Sequence, residues 1–216
     1  MEHGVIFDNG TIRKHSFIDW GLLFNPFEIP YPKPKTDYQK IEGGNGSIDL
    51  TESYGKIFYE DTSFTMSFNC DDRTRYEKTL NEIVSFIHGK RLKVFLYFDE
   101  LFYYDARITV NKYASNKAMG EIVLNLVAKP YKLKRFETIE LIDVIDRKVV
   151  VFKNERMETL PSFKADKAMN FYFKGNSYAI NTTETRFPSV EFVEGDNVIE
   201  FVGTGKVEVK YQEGKF

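Results

Sequence analysis

Three glycines and a run of side-chain oxygens stand together at residues 41–55, IEGGNGSIDLTESYG. Gly43, Gly44 and Gly46 could let backbone N–H groups cradle a phosphate, and Asp49, Thr51, Glu52 and Ser53 carry oxygens of the kind that hold calcium. Neither chemistry is completed. A phosphate loop needs a Lys-Ser/Thr pair behind its glycines and a helix opening there, so that the helix dipole faces the anion. Here no such lysine follows, and the next residues read as a strand. A calcium loop needs oxygens at alternate positions, a central glycine, a closing bidentate glutamate and helical flanks. In this stretch the order is wrong and the flanks are strands. It reads as a structural turn, with an ion site as the lesser alternative.

Other constellations are thinner still. Cys70 as a nucleophile would need a histidine base, and His88 lies eighteen residues on, at the far end of a helical pattern. Cys70 also ends the apolar side of an alternating segment, where a thiol is a small inert hydrophobe. His88, followed by Gly89, suits the C-terminal end of the helix. With one cysteine and only His3, His15 and His88 besides it, a four-ligand zinc site is not expected. No pair among the 32 Asp and Glu residues is marked out as a glycosidase dyad. Sugar binding would need an aromatic platform, and residues 137–216 hold neither Trp nor His. Phe163, Phe171, Phe173, Phe187, Phe192, Phe201 and Tyr211 mostly fall where alternation turns them inward, leaving Tyr172 and Tyr178 as candidates. No catalytic, cofactor-binding or metal-binding residue is expected.

The bulk numbers agree with a folded protein that does its work without such a site. In 216 residues, 42% hydrophobic content supports an ordinary core, in one large or two small domains. A net charge of -2 offers no basic footprint for nucleic acid. The N-terminus lacks the apolar run of a signal peptide, and no segment approaches the roughly 20 apolar residues that span a bilayer. Twenty Phe and 13 Tyr against one Trp favour strands.

In chain order, residues 3–9 and 11–18 read as a hairpin about Asn9-Gly10. Prolines 26, 30, 32 and 34 keep the next segment extended. Residues 56–61 and 63–70 alternate, the latter with Phe64, Met66, Phe68 and Cys70 on one side. A helix is expected over about residues 72–88, capped by Asp71 or Asp72 and stopped by Gly89, with Tyr76, Leu80, Ile83, Val84 and Ile87 as its apolar stripe. Strands at 91–98, 102–110 and 121–127, the first two joined by a turn at Asp99-Glu100, complete a β-sandwich or barrel domain with one helix.

The strand pattern stops at Pro130, and the boundary is placed near residue 136, giving domains 1–136 and 137–216. The second carries seven short strands with turns every eight to twelve residues, as in a small sandwich. Turns are expected at Gly175-Asn176, 194–197 and 203–205, and a strand at 190–193. In the last strand Val207, Val209 and Tyr211 point inward.

Taken in order, these features resemble the distal tail protein (Dit) family of long-tailed siphophages. The family segment Tyr-x-x-Ile-x-Gly-x-x-Gly-x-Ile/Leu-Asp-Leu-Thr-Glu is met by Tyr38, Ile41, Gly43, Gly46, Ile48, Asp49, Leu50, Thr51 and Glu52. His88-Gly89-Lys90-Arg91 before a strand is a second match, and Asn154, Arg156 and Pro161 resemble a segment of the family's galectin-like domain. Phe192 through Gly214 resembles its closing hairpin. The resemblance implies an N-terminal belt domain, a small C-terminal galectin-like sandwich and no enzymatic activity. It further implies a homo-hexameric ring joining the tail tube protein to the tail-tip or hub protein, with the receptor-binding protein or tape-measure protein as further contacts. The location implied is the virion tail tip, with the host cytoplasm during assembly. No sequence-specific nucleic acid, membrane insertion or cofactor is implied. The family's long arm and carbohydrate-binding insertions have no room in the last 80 residues. A carbohydrate-binding module attaching to the host cell wall is the alternative reading.

Overall fold

The computed structural model describes residues 4–115 and 119–216; His3, the expected start of the first strand, lies outside the described residues. The fold is mainly β with one helix and divides into two compact units, Met1–Lys132 with Phe216, and Leu133–Lys215.

The first unit contains Val5–Asp8 (β1), Arg13–His15 (β2), Leu23–Phe24 (β3), Tyr38–Lys40 (β4), Ser47–Asp49 (β5) and Thr62–Cys70 (β6). The helix Arg73–Ile87 (α1) follows, then Arg91–Leu96 (β7), Asp99–Ser115 (β8) and Gly120–Ala128 (β9). Strands run β2-β1-β7-β8-β9-β6-β3 in one antiparallel sheet, and β4-β5 forms a separate hairpin. Alternation does what the sequence implies along β6, burying Phe64, Met66, Phe68 and Cys70. Helix α1 lays Tyr76, Ile83 and Ile87 on the core, while Leu80 packs at its margin. Asp72 is the N-cap, its carboxylate accepting the Arg75 N–H at 3.0 Å. Gly89, at φ +73, ends the helix in the left-handed conformation. Trp20 is fully buried, edge-on to Phe86 at 5.8 Å, with its indole N–H toward Glu82.

Three expectations for this unit are corrected. The first hairpin has a four-residue loop, Asp8 facing Arg13, because the side chains of Asp8 and Asn9 satisfy the loop's own N–H groups. The Asp8 carboxylate accepts the Gly10 N–H at 2.6 Å, and the Asn9 side chain accepts those of Thr11 and Ile12. Residues 56–61 are not a strand: only Tyr59 makes a bridge, to Pro34. The facing segment carries prolines at 30, 32 and 34, whose φ is fixed at about −65°, away from the extended strand value, so the pairing stops at one bridge. The turn after β7 is Tyr97-Phe98, since Asp99 already pairs with Leu96.

The second unit contains Lys132–Lys134 (β10, whose first residue belongs to the first unit), Thr138–Val144 (β11), Arg147–Asn154 (β12), Ser162–Ala165 (β13) and Met169–Phe173 (β14). Asn176–Ile180 (β15), Thr185–Arg186 (β16), Gly195–Val202 (β17), Gly205–Tyr211 (β18) and Gly214–Lys215 (β19) complete it. Two four-stranded antiparallel sheets, β11-β18-β13-β16 and β12-β17-β14-β15, face each other. Phe152, Phe163, Phe171, Phe173, Phe192 and Phe201 fill the space between. Phe163 from one sheet stacks on Phe171 from the other at 4.5 Å. Val207, Val209 and Tyr211 point inward as expected.

Here β11 and the short β10, β16 and β19 are additions to the sequence reading. The turn after β14 is Lys174-Gly175, with both residues at positive φ (47 and 81), which suits a two-residue hairpin. Residues 190–193 are not a strand, with only Phe192 bridging Thr159, and residues 195–197 belong to β17. The turn potential of Asn197 is spent differently. Its buried side chain accepts the Val193 N–H at 2.9 Å and donates to the Val193 carbonyl at 2.8 Å, fixing the approach to β17.

Candidate assembly surface

The glycine-rich stretch is the tip and returning limb of an arm. β4 and β5 pair from Tyr38–Asp49 to Lys40–Ser47, and the chain turns between them through Gly43 (φ +74) and Gly46 (φ +84). Both backbones favour glycine, whereas a Cβ on either would meet open space. Gly44 has no positive φ and is not part of that requirement. At the arm's root the Lys35 N–H donates to the Phe58 carbonyl and the Glu60 N–H to the Lys33 carbonyl, so outgoing and returning chains run side by side.

Two of the oxygens that suggested an ion site, those of Asp49 and Thr51, are engaged within the arm. Asp49 accepts the Thr51 N–H at 2.9 Å, and the Thr51 hydroxyl accepts the Asp37 N–H at 3.2 Å. Hydrogen bonds from Thr51, with its hydroxyl contributing most, hold the Asp49 carboxyl below the usual carboxylate range. Among its exposed residues the arm presents large apolar side chains: Tyr54 is 84% exposed, and Tyr38, Ile48, Phe58 and Ile41 are also exposed. None of them belongs to the unit's core. A hollow of about 470 Å³ opens beside the arm between Asp37, Leu50, Tyr54 and Phe58.

A second apolar feature of this unit was not singled out in the sequence. A cleft of about 560 Å³ is walled by Phe24, Phe27, Tyr97, Phe98, Tyr104 and the prolines at 26, 30 and 32. Phe24 packs against Phe27 at 5.9 Å and Tyr97 at 5.1 Å, and Phe98 remains 61% exposed. Its polar groups are sparse. Lys132 is tied to Asp99 at 2.7 Å, and the buried Thr62 hydroxyl has no hydrogen-bond partner among the described residues. The available signal was the bulky pair Tyr97-Phe98 occupying turn positions, where small polar residues are usual.

The structure does not bring Cys70 and His88 together. They flank the two ends of α1, whose 15 residues span about 22 Å at 1.5 Å per residue. The Cys70 thiol is buried and donates to the Asp72 carbonyl, while the His88 Nδ1 accepts the Val110 N–H at 3.1 Å. His15 ends β2 and steadies the turn that follows, its Nδ1 accepting the N–H groups of Phe17 and Ile18.

In the second unit the two tyrosine candidates separate. Tyr178 lies opposite Phe171 in register, stacks on it at 5.0 Å, and shares a hydrogen bond with Ser189. It belongs to the core's margin. Tyr172 faces outward, 39% exposed, between Glu200 and Ser177, with aliphatic or polar neighbours across the sheet. The Asn154–Pro161 segment is a structural corner. Asn154 is buried and donates to the carbonyls of Met157 and Phe192, and Pro161 is buried beside the sandwich. Tyr211 closes the other side, its hydroxyl donating to the Lys153 carbonyl at 2.8 Å; burial pushes its pKa up to about 12.

No family model and no curated protein matches the chain. Among solved structures it is similar to the Dit protein of phage SPP1, described as a paradigm of the hub adsorption apparatus in phages that infect Gram-positive bacteria. The two agree with a TM-score of 0.71 at 10% sequence identity, over 100% of this chain and 100% of that one. The chain thus has the mainly β, Dit-like fold over its whole described length.

Proposed function

We propose that this chain is a structural component of a long-tailed phage tail. In this reading it is a distal tail protein, six copies of which form a ring between the tail tube and the tail-tip or hub protein. The observation that carries the reading is the end-to-end fold match to SPP1 Dit, which embraces both units and not one domain alone. The exposed apolar arm supports it: Tyr38, Ile48 and Tyr54 have no place in the core and suit burial against a neighbouring copy. Such a protein acts by geometry. The glycine loop, Cys70 and His88 all serve the backbone or the core in this structure. The reading therefore includes no enzymatic activity and no cofactor, and places the protein in the virion tail tip after assembly in the host cytoplasm. A net charge of -2 agrees with a ring that lets DNA pass without holding it. Receptor-binding and tape-measure proteins are further partners in this reading.

Antibody against the purified chain, applied to intact phage particles, should label the distal end of the tail. Labelling of capsid only, or absence of the chain from purified virions, would sink the proposal. Attachment to cell-wall glycan through the second unit is the competing reading, supported by Tyr172 alone. Retention on cell-wall material that disappears in Tyr172→Ala would favour it.

A further inference from the structure

An open strand edge is a template for another chain, and the second unit has two of them side by side. β11 pairs only with β18 and β12 only with β17, so each is the outer strand of its sheet. Only Ile145 and Asp146 separate them in sequence, which puts the two open edges on the same side of the sandwich, one per layer. Both edges expose apolar side chains: Ile139 (53%) and Leu141 (76%) on β11, Val149 (59%) and Val151 (50%) on β12. Charges bracket them, exposed Glu137 and Asp143 on or next to β11, and exposed Arg147 and Lys153 on β12.

These two patterns are complementary in a single register. With β11 antiparallel to β12 of another copy, Asp143 faces Arg147, Leu141 faces Val149, Ile139 faces Val151 and Glu137 faces Lys153. All eight side chains then lie on the same face, since outward residues alternate along each strand. Within one chain none of these pairs forms, because the two strands belong to opposite sheets whose outer faces turn away from each other. Arg147 already meets Glu200 at 2.5 Å, but its side chain stays 66% exposed.

We propose that this edge is a docking surface for a second copy of the same chain. The two copies are related by a two-fold axis parallel to the strands, so that each β11 joins the other copy's β12 and the pair's four four-stranded sheets become two continuous eight-stranded ones. Charge selects this axis. A two-fold perpendicular to the sheets would lay β11 on β11 and β12 on β12, setting acid against acid and base against base. The contact is isologous and consumes both the β11 and β12 edges, so through this surface it closes at two copies. The proposal stands independently of the tail-ring reading.

The test is disulfide cross-linking of the full chain carrying Leu141→Cys and Val149→Cys. Directly opposed residues on paired strands have Cβ atoms about 4.5–5.5 Å apart, close to what a disulfide accepts. Both positions are exposed, so the fold should survive, and buried Cys70 should stay silent. Mild oxidation should give a covalent dimer and nothing larger, while either single cysteine variant gives far less. Adding Glu137→Lys should lower the dimer yield severalfold, and adding Lys153→Glu as well should restore it. Absence of the dimer, equal cross-linking by Leu141→Cys alone, a disulfide within one chain, a ladder of larger species, or charge variants without effect would each overturn the proposal.

Discussion

Gly120 at the start of β9 sets how closely α1 lies on its sheet. A Cβ built there would stand 2.2 Å from Tyr76 Cγ and 2.3 Å from its Cδ1, against the roughly 3.5–4.0 Å of an ordinary carbon contact. Tyr76 has no exposed surface and cannot swing away without lifting the helix. Overpacking costs typically about 1–3 kcal/mol, and an overlap this deep falls at the upper end. Displacing the ring also breaks its hydroxyl's 2.7 Å bond to the Glu121 carbonyl, worth about 1 kcal/mol. Gly120→Ala should thus destabilise the first unit by about 3–4 kcal/mol, lowering its midpoint on the order of 10–15 °C for a unit of this size. Trp20, the only tryptophan, is buried in this unit, so its fluorescence follows that transition specifically. In a Tyr76→Leu background the added methyl has room, and the same substitution should cost less than about 1 kcal/mol in a double-mutant cycle. A full penalty that persists without the tyrosine ring, or no penalty in the parent, would refute this account of the helix seat.

Further outcomes are expected. Tyr76 has its pKa raised to about 12, mainly by burial, so the neutral hydroxyl is favoured in the folded state. Its contribution is complete below pH 10 and lost as pH rises through about 12, so Tyr76→Phe should flatten the alkaline loss seen by Trp20 fluorescence. Tyr211, raised to about 12 for the same leading cause, should behave alike in the second unit, read by circular dichroism of a Tyr211→Phe variant. Gly46→Val places a β-branched residue at φ +84 on a wholly exposed hairpin. Its strain, about 1–3 kcal/mol, should stay local, leaving the Trp20 melt within a few degrees while disturbing the proposed ring. Asn197→Ala removes the side chain that closes the approach to β17 and should cost about 1–3 kcal/mol in chemical denaturation.

Where one physical effect dominates, the fold is legible from sequence. β6 and β18 bury every second residue, so alternation finds them; α1 has an apolar stripe, an aspartate cap and a glycine stop, three signals that agree. β11 is obscured because Ile139 and Leu141 point outward while Glu140 falls in the inward register, so apolar and polar residues do not alternate along it. Residues 194–197 look like a turn because Gly, Asp and Asn favour turns, yet tertiary contacts draw Asn197 inside and the strand begins early. The glycine stretch is recognisable as a turn from what it lacks. Its place at the tip of a projecting arm depends on the bridge between Pro34 and Tyr59, a contact across residues with no local pattern. The cleft behind Tyr97-Phe98 gathers residues from five separate segments, so no single window reveals it.

The central claim is that the chain works as a ring. Electron microscopy of the purified protein, alone and mixed with the tail tube and hub proteins that the proposal names as its partners, tests it most directly. The account predicts closed six-fold rings, single or stacked, that lose their closure when Tyr38, Ile48 and Tyr54 of the arm are replaced by serine. Particles that stay monomeric under all of these conditions, or rings of another symmetry, would contradict it.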